Sequence, residues 1–222
     1  MKRLLSFLTV LLLLMPTAVD ASSTKVNNIG ITCQIDQNGT ATFVEKWDMD
    51  VSEGTEGYKI FNGMNDQPLT LIGVTDDRGV TYKNIGTWDS NVSRESKINK
   101  CGLIKDGGHY ELCFGLGDYG TRSYTMVYQI EHFVNQYKDQ QGINYAFISD
   151  MSLDVADVTI HVTGMTPYSK ENAKIWAFGY SGSVNFDNGG VTLKTDSLGS
   201  NKMQLLMGLE SNSYTSPNKR HA

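Results

Sequence analysis

The stretch IGITCQIDQNGTATFVEKWDMDV, residues 29–51, carries the strongest fold signal in the sequence. Apolar and polar residues alternate from Ile29 to Ile35, and the alternation resumes beyond Asn38-Gly39. A period of two predicts β-strands that bury one face. An Asn-Gly pair between two such runs is typical of a hairpin, because both residues tolerate a positive φ. These residues therefore predict an antiparallel hairpin with one apolar face.

The same alternation recurs along the chain, with turns rich in Gly, Asp and Asn between the runs. The later predicted strands are Leu69 to Asp76, Val80 to Ile85, Tyr110 to Phe114, Ser123 to Phe133, Val155 to Thr163, Lys174 to Tyr180, Val191 to Thr195 and Met203 to Leu209. No long window shows the apolar stripe of an amphipathic helix. This pattern predicts an all-β chain, either an antiparallel β-sandwich or two packed sandwich lobes.

Residues 1–21 have the composition of a targeting segment. A basic start precedes an apolar run from Leu4 to Leu14, and small or β-branched residues stand at Val19 and Ala21. This order predicts a secretory signal peptide cleaved after Ala21. The alternative is an uncleaved N-terminal anchor, although the run is short for a membrane span.

The remaining residues divide into a domain and a tail. Residues 22–210 are predicted to form a β-rich extracytoplasmic domain, with candidate lobes at 22–150 and 151–210 that could share one core. Residues 211–222 are polar and are predicted to form a frayed tail.

The composition excludes some classes of function. The chain has 222 residues, of which 40% are hydrophobic, and its net charge is −5, so a nucleic-acid partner is not expected. Gly115–Gly120 matches a dinucleotide-binding pattern, but a strand rather than a helix follows it. The histidines are isolated and lack the paired spacing of metal ligands. We therefore expect no cofactor and no metal, and we find no catalytic constellation.

Glu45 is the most informative acidic residue. It has the same parity as Phe43 and Trp47, so it is predicted to point toward the apolar face. A buried carboxylate needs a partner. The open alternatives are a salt bridge to Lys59 or to an arginine, a position at the rim of the sheet, and a ligand-binding role.

Cys101 and Cys113 flank the turn Asp106-Gly107-Gly108. A three-residue loop would place the two cysteines directly opposite each other, close enough for a disulfide. A two-residue loop would shift the pairing and leave two reduced thiols. The spacing alone leaves both alternatives open.

Aromatic residues near turns could form a surface that stacks on a ligand such as a sugar. The candidates for such stacking are Trp88, Tyr110 and Tyr119. By contrast, Trp176, Phe178 and Tyr180 share parity within one predicted strand. This pattern favours a core face for those three residues.

The order of these features resembles a known family. A strand, an Asn-Gly turn and a strand ending Val44-Glu45 are followed by Gly115–Gly120, by Asn144–Phe147 and by Ile175–Gly182. This succession is similar to the N-terminal extracytoplasmic region of the bacterial predicted-membrane-protein family catalogued as domain of unknown function 2207. The resemblance covers residues 28–210.

The resemblance implies export, a β-rich ectodomain and a bacterial envelope setting, and it implies no catalytic residue. Family members usually have an Arg-x-Ile-Pro-like stretch where this chain has Tyr58-Lys59-Ile60-Phe61. An arginine partner for Glu45 is therefore in doubt.

The sequence favours an exported, envelope-associated binding or interaction module whose partner is an envelope protein or a glycan. The alternative is a carbohydrate-active enzyme that uses paired carboxylates on a sheet face. A third reading, suggested by the family architecture, is a structural partner of a membrane protein.

Overall fold

The computed structural model describes residues 24–153, 155–198, 202–215 and 218–219. The predicted signal peptide, residues 1–21, lies outside the described residues. The strands in chain order are β1 Lys25–Ile35, β2 Ala41–Val51, β3 Glu56–Phe61, β4 Leu69–Asp76, β5 Lys83–Thr87, β6 Lys100–Asp106, β7 His109–Gly115, β8 Gly120–Ile130, β9 Asn135–Gln136, β10 Gln141–Ser149, β11 Val155–Thr163, β12 Ala173–Phe178, β13 Ser183–Asp187, β14 Gly190–Thr195, β15 Lys202–Leu209 and β16 Asn218–Lys219. One short helix, α1 Arg94–Lys97, precedes β6.

The described strands form three sheets. A seven-stranded sheet has the order β13-β14-β11-β1-β2-β8-β4, a five-stranded sheet has the order β12-β15-β10-β9-β16, and a four-stranded sheet has the order β3-β7-β6-β5. The prediction of an all-β chain is confirmed. Each of these strands belongs to one of three sheets, which have seven, five and four strands.

The β1–β2 hairpin forms as its sequence predicts. Ile35 pairs with Ala41, so the loop contains the five residues from Asp36 to Thr40. The Asp36 carboxylate accepts hydrogen bonds from the backbone amides of Asn38 and Thr40, at 2.9 and 3.0 Å. Gly39 has a φ of 81°, a conformation that glycine adopts without strain.

The expectation of purely antiparallel sheets is wrong at three pairs. β1 runs parallel to β11, β5 runs parallel to β6, and β16 runs parallel to β9. Alternation of apolar residues shows which side chains of a strand share a face, but it does not report the direction of a distant partner. β1 and β11 are far apart in the chain, so no hairpin turn fixes their relative direction.

One face of the seven-stranded sheet is buried. In the register of β1 with β2, Ile29 lies opposite Trp47, and Cys33 lies opposite Phe43. These four side chains are fully or almost fully buried. On the other face of β2, Val44 is exposed. The period of two therefore separates a core face from a solvent face, as in a half-buried sheet.

Both smaller sheets supply aromatic rings to this buried face. From the five-stranded sheet, the Phe147 ring lies 6.1 Å from the ring of Phe43. From the four-stranded sheet, the Phe61 ring lies 5.3 Å from the ring of Tyr128 in β8. Nearly all the buried apolar side chains of the described residues form one cluster, which includes residues from all three sheets.

The two candidate lobes share sheets and core. β11, β13 and β14 come from residues 151–210, and they lie in the same seven-stranded sheet as β1, β2, β4 and β8 from residues 22–150. The predicted tail also contacts the domain in its described part. The buried Tyr214 receives a hydrogen bond at its carbonyl from Gln141 Nε2 and donates its amide to Gln141 Oε1. Asn218 donates its amide to the carbonyl of Val134.

The possible disulfide between Cys101 and Cys113 is absent, and both cysteines are free thiols. Asp106 pairs with His109, so the turn has two residues rather than three. Cys113 therefore lies opposite Gly102. Because neighbouring residues in a strand point to opposite faces, the two sulfur atoms lie on different sides of the sheet.

We expect Gly57→Ala to destabilise the protein, because a Cβ atom at this position would lie 2.3 Å from the Phe114 ring. Overpacking of this kind costs about 1–3 kcal/mol. Gly30→Ala is the matched control, since nothing lies within 4 Å of its Cβ position. Urea denaturation of both variants measures the difference. Equal stability of the two variants would contradict the packing of β3 against Phe114.

The thiols should react only when the protein unfolds. Burial raises the pKa of Cys101 to about 11 and that of Cys113 to about 12, so neither is a thiolate near neutral pH. We expect slow modification by a disulfide reagent at pH 8 and reaction of all three cysteines in denaturant without reductant. A single reactive thiol under those denaturing conditions would indicate a disulfide.

Candidate functional site

The carboxylate of Glu45 is fully buried, and no other charged residue described in the structure is less exposed. Its Oε1 atom accepts hydrogen bonds from Trp47 Nε1 at 2.7 Å and from Lys59 Nζ at 2.9 Å. Its Oε2 atom accepts a hydrogen bond from the Tyr128 hydroxyl at 2.7 Å and lies 2.8 Å from Lys59 Nζ. The carboxylate therefore has three donors, one of them charged.

The Glu45–Lys59 pair joins all three sheets. Glu45 lies in β2 of the seven-stranded sheet, and Lys59 lies in β3 of the four-stranded sheet. Lys59 Nζ also donates a hydrogen bond of 2.7 Å to the carbonyl of Phe147, in β10 of the five-stranded sheet. Burial and the Glu45 carboxylate both raise the pKa of the Tyr128 hydroxyl, so it remains a neutral donor.

This geometry selects among the alternatives for Glu45. Parity places the carboxylate on the apolar face, and the structure has it there. Lys59 is the partner, so the salt bridge to a lysine is the alternative that forms. The saturated hydrogen bonding of the carboxylate and its complete burial favour a structural role over direct contact with a ligand.

A cleft of about 330 Å³ opens beside this ion pair. Its floor is formed by Trp47 and Met49 of β2. One wall is formed by Tyr58 and Ile60 of β3, which flank Lys59 in sequence. The rest of the boundary comes from Thr24, Glu53, Gly54, Glu56, Gly57, Leu116 and the segment Ser149–Leu153. This volume is at the lower end of the range for small-molecule sites.

Local contacts hold the cleft walls in place. The Thr24 hydroxyl accepts hydrogen bonds from the amides of Ser52 and Glu53, at 3.0 and 3.2 Å, and so fixes the segment between β2 and β3. The close approach of Gly57 to Phe114 allows β3 to lie near the core. The Phe114 ring in turn meets the Trp47 ring edge to face at 6.3 Å.

The charged residues at the cleft are acidic. Glu53, Glu56 and Asp150 line it, and none of the described lining residues is basic. Glu56 forms a salt bridge with the buried Lys97, whose Nζ lies 2.7 Å from its carboxylate. The same carboxylate accepts a hydrogen bond of 2.9 Å from Trp88 Nε1. Asp150 accepts a hydrogen bond from Asn62 Nδ2 at 2.9 Å. Glu53 and Asp150 are both exposed at the mouth, whereas Glu56 is half-buried.

The predicted ligand-stacking aromatics do not form one surface. Trp88 is buried, and its indole nitrogen donates a hydrogen bond to the carboxylate of Glu56. Tyr110 is also buried, with Lys105 Nζ 5.1 Å from its ring centroid. Tyr119 is exposed, but Arg94 covers its ring at 4.5 Å. Proximity to a turn does not report whether a neighbouring element covers the ring.

The cleft residues carry little sequence signal. Tyr58 alternates with Lys59 in β3, and that alternation could have indicated an exposed aromatic beside a buried lysine. Met151 and Leu153 lie in an irregular segment without periodicity. Their contribution depends on where the chain turns after β10.

The described residues include no cluster of three or more His, Cys, Asp or Glu side chains able to hold a metal ion. Nor does this part of the chain have a helix with the length and apolarity that a membrane crossing requires.

Several solved structures resemble this fold distantly. A presumed protease from Parabacteroides distasonis has a TM-score of 0.49 at 10% identity, over 86% of this chain and 41% of that one. A leukotriene A4 hydrolase from Saccharomyces cerevisiae has a TM-score of 0.49 at 8% identity, over 84% and 29%. An M1 zinc metallopeptidase from Deinococcus radiodurans has a TM-score of 0.41 at 10% identity, over 84% and 42%.

The chain thus spans less than half the length of each of these structures, and at such TM-scores the likeness carries no argument about function. A comparison with curated protein sequences gives no match.

Fold and site together define an all-β domain with a buried ion pair and an acidic cleft. The family model described as "Predicted membrane protein (DUF2207) N-terminal domain" matches residues 25–203. The chain belongs to this family, and the resemblance seen in the order of strands is confirmed. The family description associates the domain with a membrane protein, and its biochemical activity is unknown.

We expect Glu45→Gln and Lys59→Met each to lower the free energy of unfolding by about 3–5 kcal/mol, because each leaves the other group buried without its partner. The double variant should lose less than the sum of the two. Lys194→Met is the matched control, since Lys194 and Asp196 form an exposed pair whose loss costs about 0–1 kcal/mol. Urea denaturation provides the measurement. Additive losses in the double variant would contradict a coupled buried pair.

Proposed function

We propose that this protein is an exported, envelope-associated binding module that uses the cleft between β2 and β3. The proposal of export rests on the composition of residues 1–21 and on the membrane setting of the family. The observation that carries the binding function is the cleft itself. It combines an apolar floor with acidic side chains and remains open beside a rigid, ion-paired core.

The chemistry of the cleft indicates the class of ligand. Tyr58, Ile60 and Met151 offer accessible apolar contacts, while Glu53 and Asp150 offer carboxylates. A cationic group beside an apolar group complements such a site, because opposite charges favour association and apolar burial adds affinity. A segment of a partner protein with an apolar side chain next to a lysine or arginine meets both conditions.

A carbohydrate-active enzyme remains the alternative function. It requires two carboxylates about 5–10 Å apart with one free to exchange a proton. In this cleft Glu56 is bound by Lys97 and Trp88, and Asp150 is bound by Asn62. Two of the three carboxylates therefore have hydrogen-bond or ion-pair partners within the protein. This favours a binding function over hydrolysis, because hydrolysis needs a pair of carboxylates with one free to exchange a proton.

A ligand panel tests the proposal. Thermal melts of the purified protein would be recorded with amphipathic basic peptides, with acidic peptides of the same apolar content, and with envelope oligosaccharides. A ligand at one hundred times its dissociation constant adds about 2.7 kcal/mol. For a domain of this size we expect a rise in Tm of about 5–10 °C with the basic peptides.

Variants connect the effect to the cleft. Ser152→Trp fills the mouth of the cleft from an exposed position and should abolish the shift. Ser181→Trp is the matched control at an exposed site outside the cleft and should leave the shift intact. Glu53→Gln should weaken binding of basic peptides without changing the Tm of the free protein. Equal shifts with acidic peptides would contradict the proposed ligand class, and turnover of an oligosaccharide would favour the enzyme.

A further inference from the structure

The edge strand β12 has an inverted pattern of side chains. Ile175 and Ala177 pack against the core, whereas Trp176 and Phe178 point outward and are 47% and 49% exposed. The prediction of a core face is therefore wrong for Trp176 and Phe178, whereas Tyr180, just beyond the strand, is half-buried and packs against the core. The neighbouring strand decides the outcome, because Ile175 pairs with Met207 and Ala177 pairs with Leu205, both of which are buried.

The exposed aromatics belong to a larger face. Trp176 pairs with Leu206, and Phe178 pairs with Gln204, so all four side chains lie on the outer face of the five-stranded sheet. Trp176 and Phe178 are about 7 Å apart along the strand. We call this surface the aromatic face, and it comprises Lys174, Trp176, Phe178, Lys202, Gln204 and Leu206. Large rings directed outward from an edge strand commonly mark an interaction surface.

The two charged residues of the aromatic face are both lysines. Lys174 of β12 and Lys202 of β15 share the outward parity, and both are exposed. The outward residues of the adjacent β10 that pair with this face, Asn144 and Ala146, are uncharged. The protein as a whole carries a net charge of −5, and the exposed acids Asp139, Glu171 and Glu210 lie around the Lys174 end of the face. The positive charge is therefore confined to the outward residues of β12 and β15.

We propose that the aromatic face docks on the surface of an anionic lipid bilayer. Trp and Phe insert their rings at the boundary between headgroups and acyl chains, and nearby lysines attract anionic headgroups. The family description independently places the domain in a membrane protein. This inference concerns a surface separate from the cleft and does not depend on a ligand there.

Other occupants fit the aromatic face less well. In a symmetric dimer each patch would meet its own copy, which would bring lysines close to lysines. A neutral glycan would gain little from the two ammonium groups, and the amides of Gln204 and Asn144 already hydrogen-bond to each other. A bilayer with anionic headgroups uses both the rings and the charges.

Intrinsic fluorescence provides a direct readout. The three tryptophans are Trp47, Trp88 and Trp176, with exposures of 1%, 4% and 47%. Transfer of Trp176 into the interface should shift the emission to shorter wavelength. We expect this shift with phosphatidylglycerol vesicles and not with phosphatidylcholine vesicles, together with co-sedimentation of the protein and the anionic vesicles.

Surface variants test which residues are responsible. Trp176→Ser with Phe178→Ser should abolish co-sedimentation, whereas Ile72→Ser, at a 52% exposed position on another sheet, should not. Lys174→Glu should weaken binding at least about fivefold, because one surface lysine contributes about that factor. Lys83→Glu, at an exposed site away from the face, is its control. The Tm of each variant verifies folding.

Three results would overturn the proposal. The first is equal binding to neutral and anionic vesicles, or no binding to either. The second is a shift of Trp176 emission that depends on protein concentration without vesicles, which would indicate a dimer. The third is a shift with soluble oligosaccharides alone, which would assign the face to glycans.

Discussion

The buried carboxylate of Glu45 is the constraint on which the rest of this structure depends. A charge in an apolar interior is costly unless its partners are fixed in place. Here the partners come from three sheets: Trp47 and Tyr128 from the seven-stranded sheet, Lys59 from the four-stranded sheet and, through Lys59, the carbonyl of Phe147 from the five-stranded sheet. The three sheets must therefore meet at one point for the charges to be satisfied.

That requirement also fixes the cleft. Lys59 is held inside, so its neighbours Tyr58 and Ile60 are presented on the cleft wall. Trp47 donates to Glu45 through its indole while its ring forms part of the floor. The chain beyond Phe147 continues directly into the rim at Ser149–Leu153. A site whose walls are strands joined by a buried ion pair can stay open without a ligand, as preorganised sites do.

Parts of this arrangement were readable from sequence because they depend on local pattern. Parity placed Glu45 on the buried face, and the need of a buried carboxylate for a partner made Lys59 one of the candidates. The same reasoning failed for Cys101 and Cys113, where one residue of turn length changed which residues are opposite. Parity also failed for Trp176, because it shows that two residues share a face but not which face the neighbouring strands cover.

The sequence by itself determined the all-β class, the first hairpin and the family, since alternation, turn residues and strand order are properties of neighbours in the chain. Only the tertiary structure decided the parallel pairing of β1 with β11, the division into three sheets, the cleft and the exposure of the aromatic face. These features depend on contacts between residues far apart in sequence. A period of two is compatible with many such pairings, so burial of one shared core selects among them.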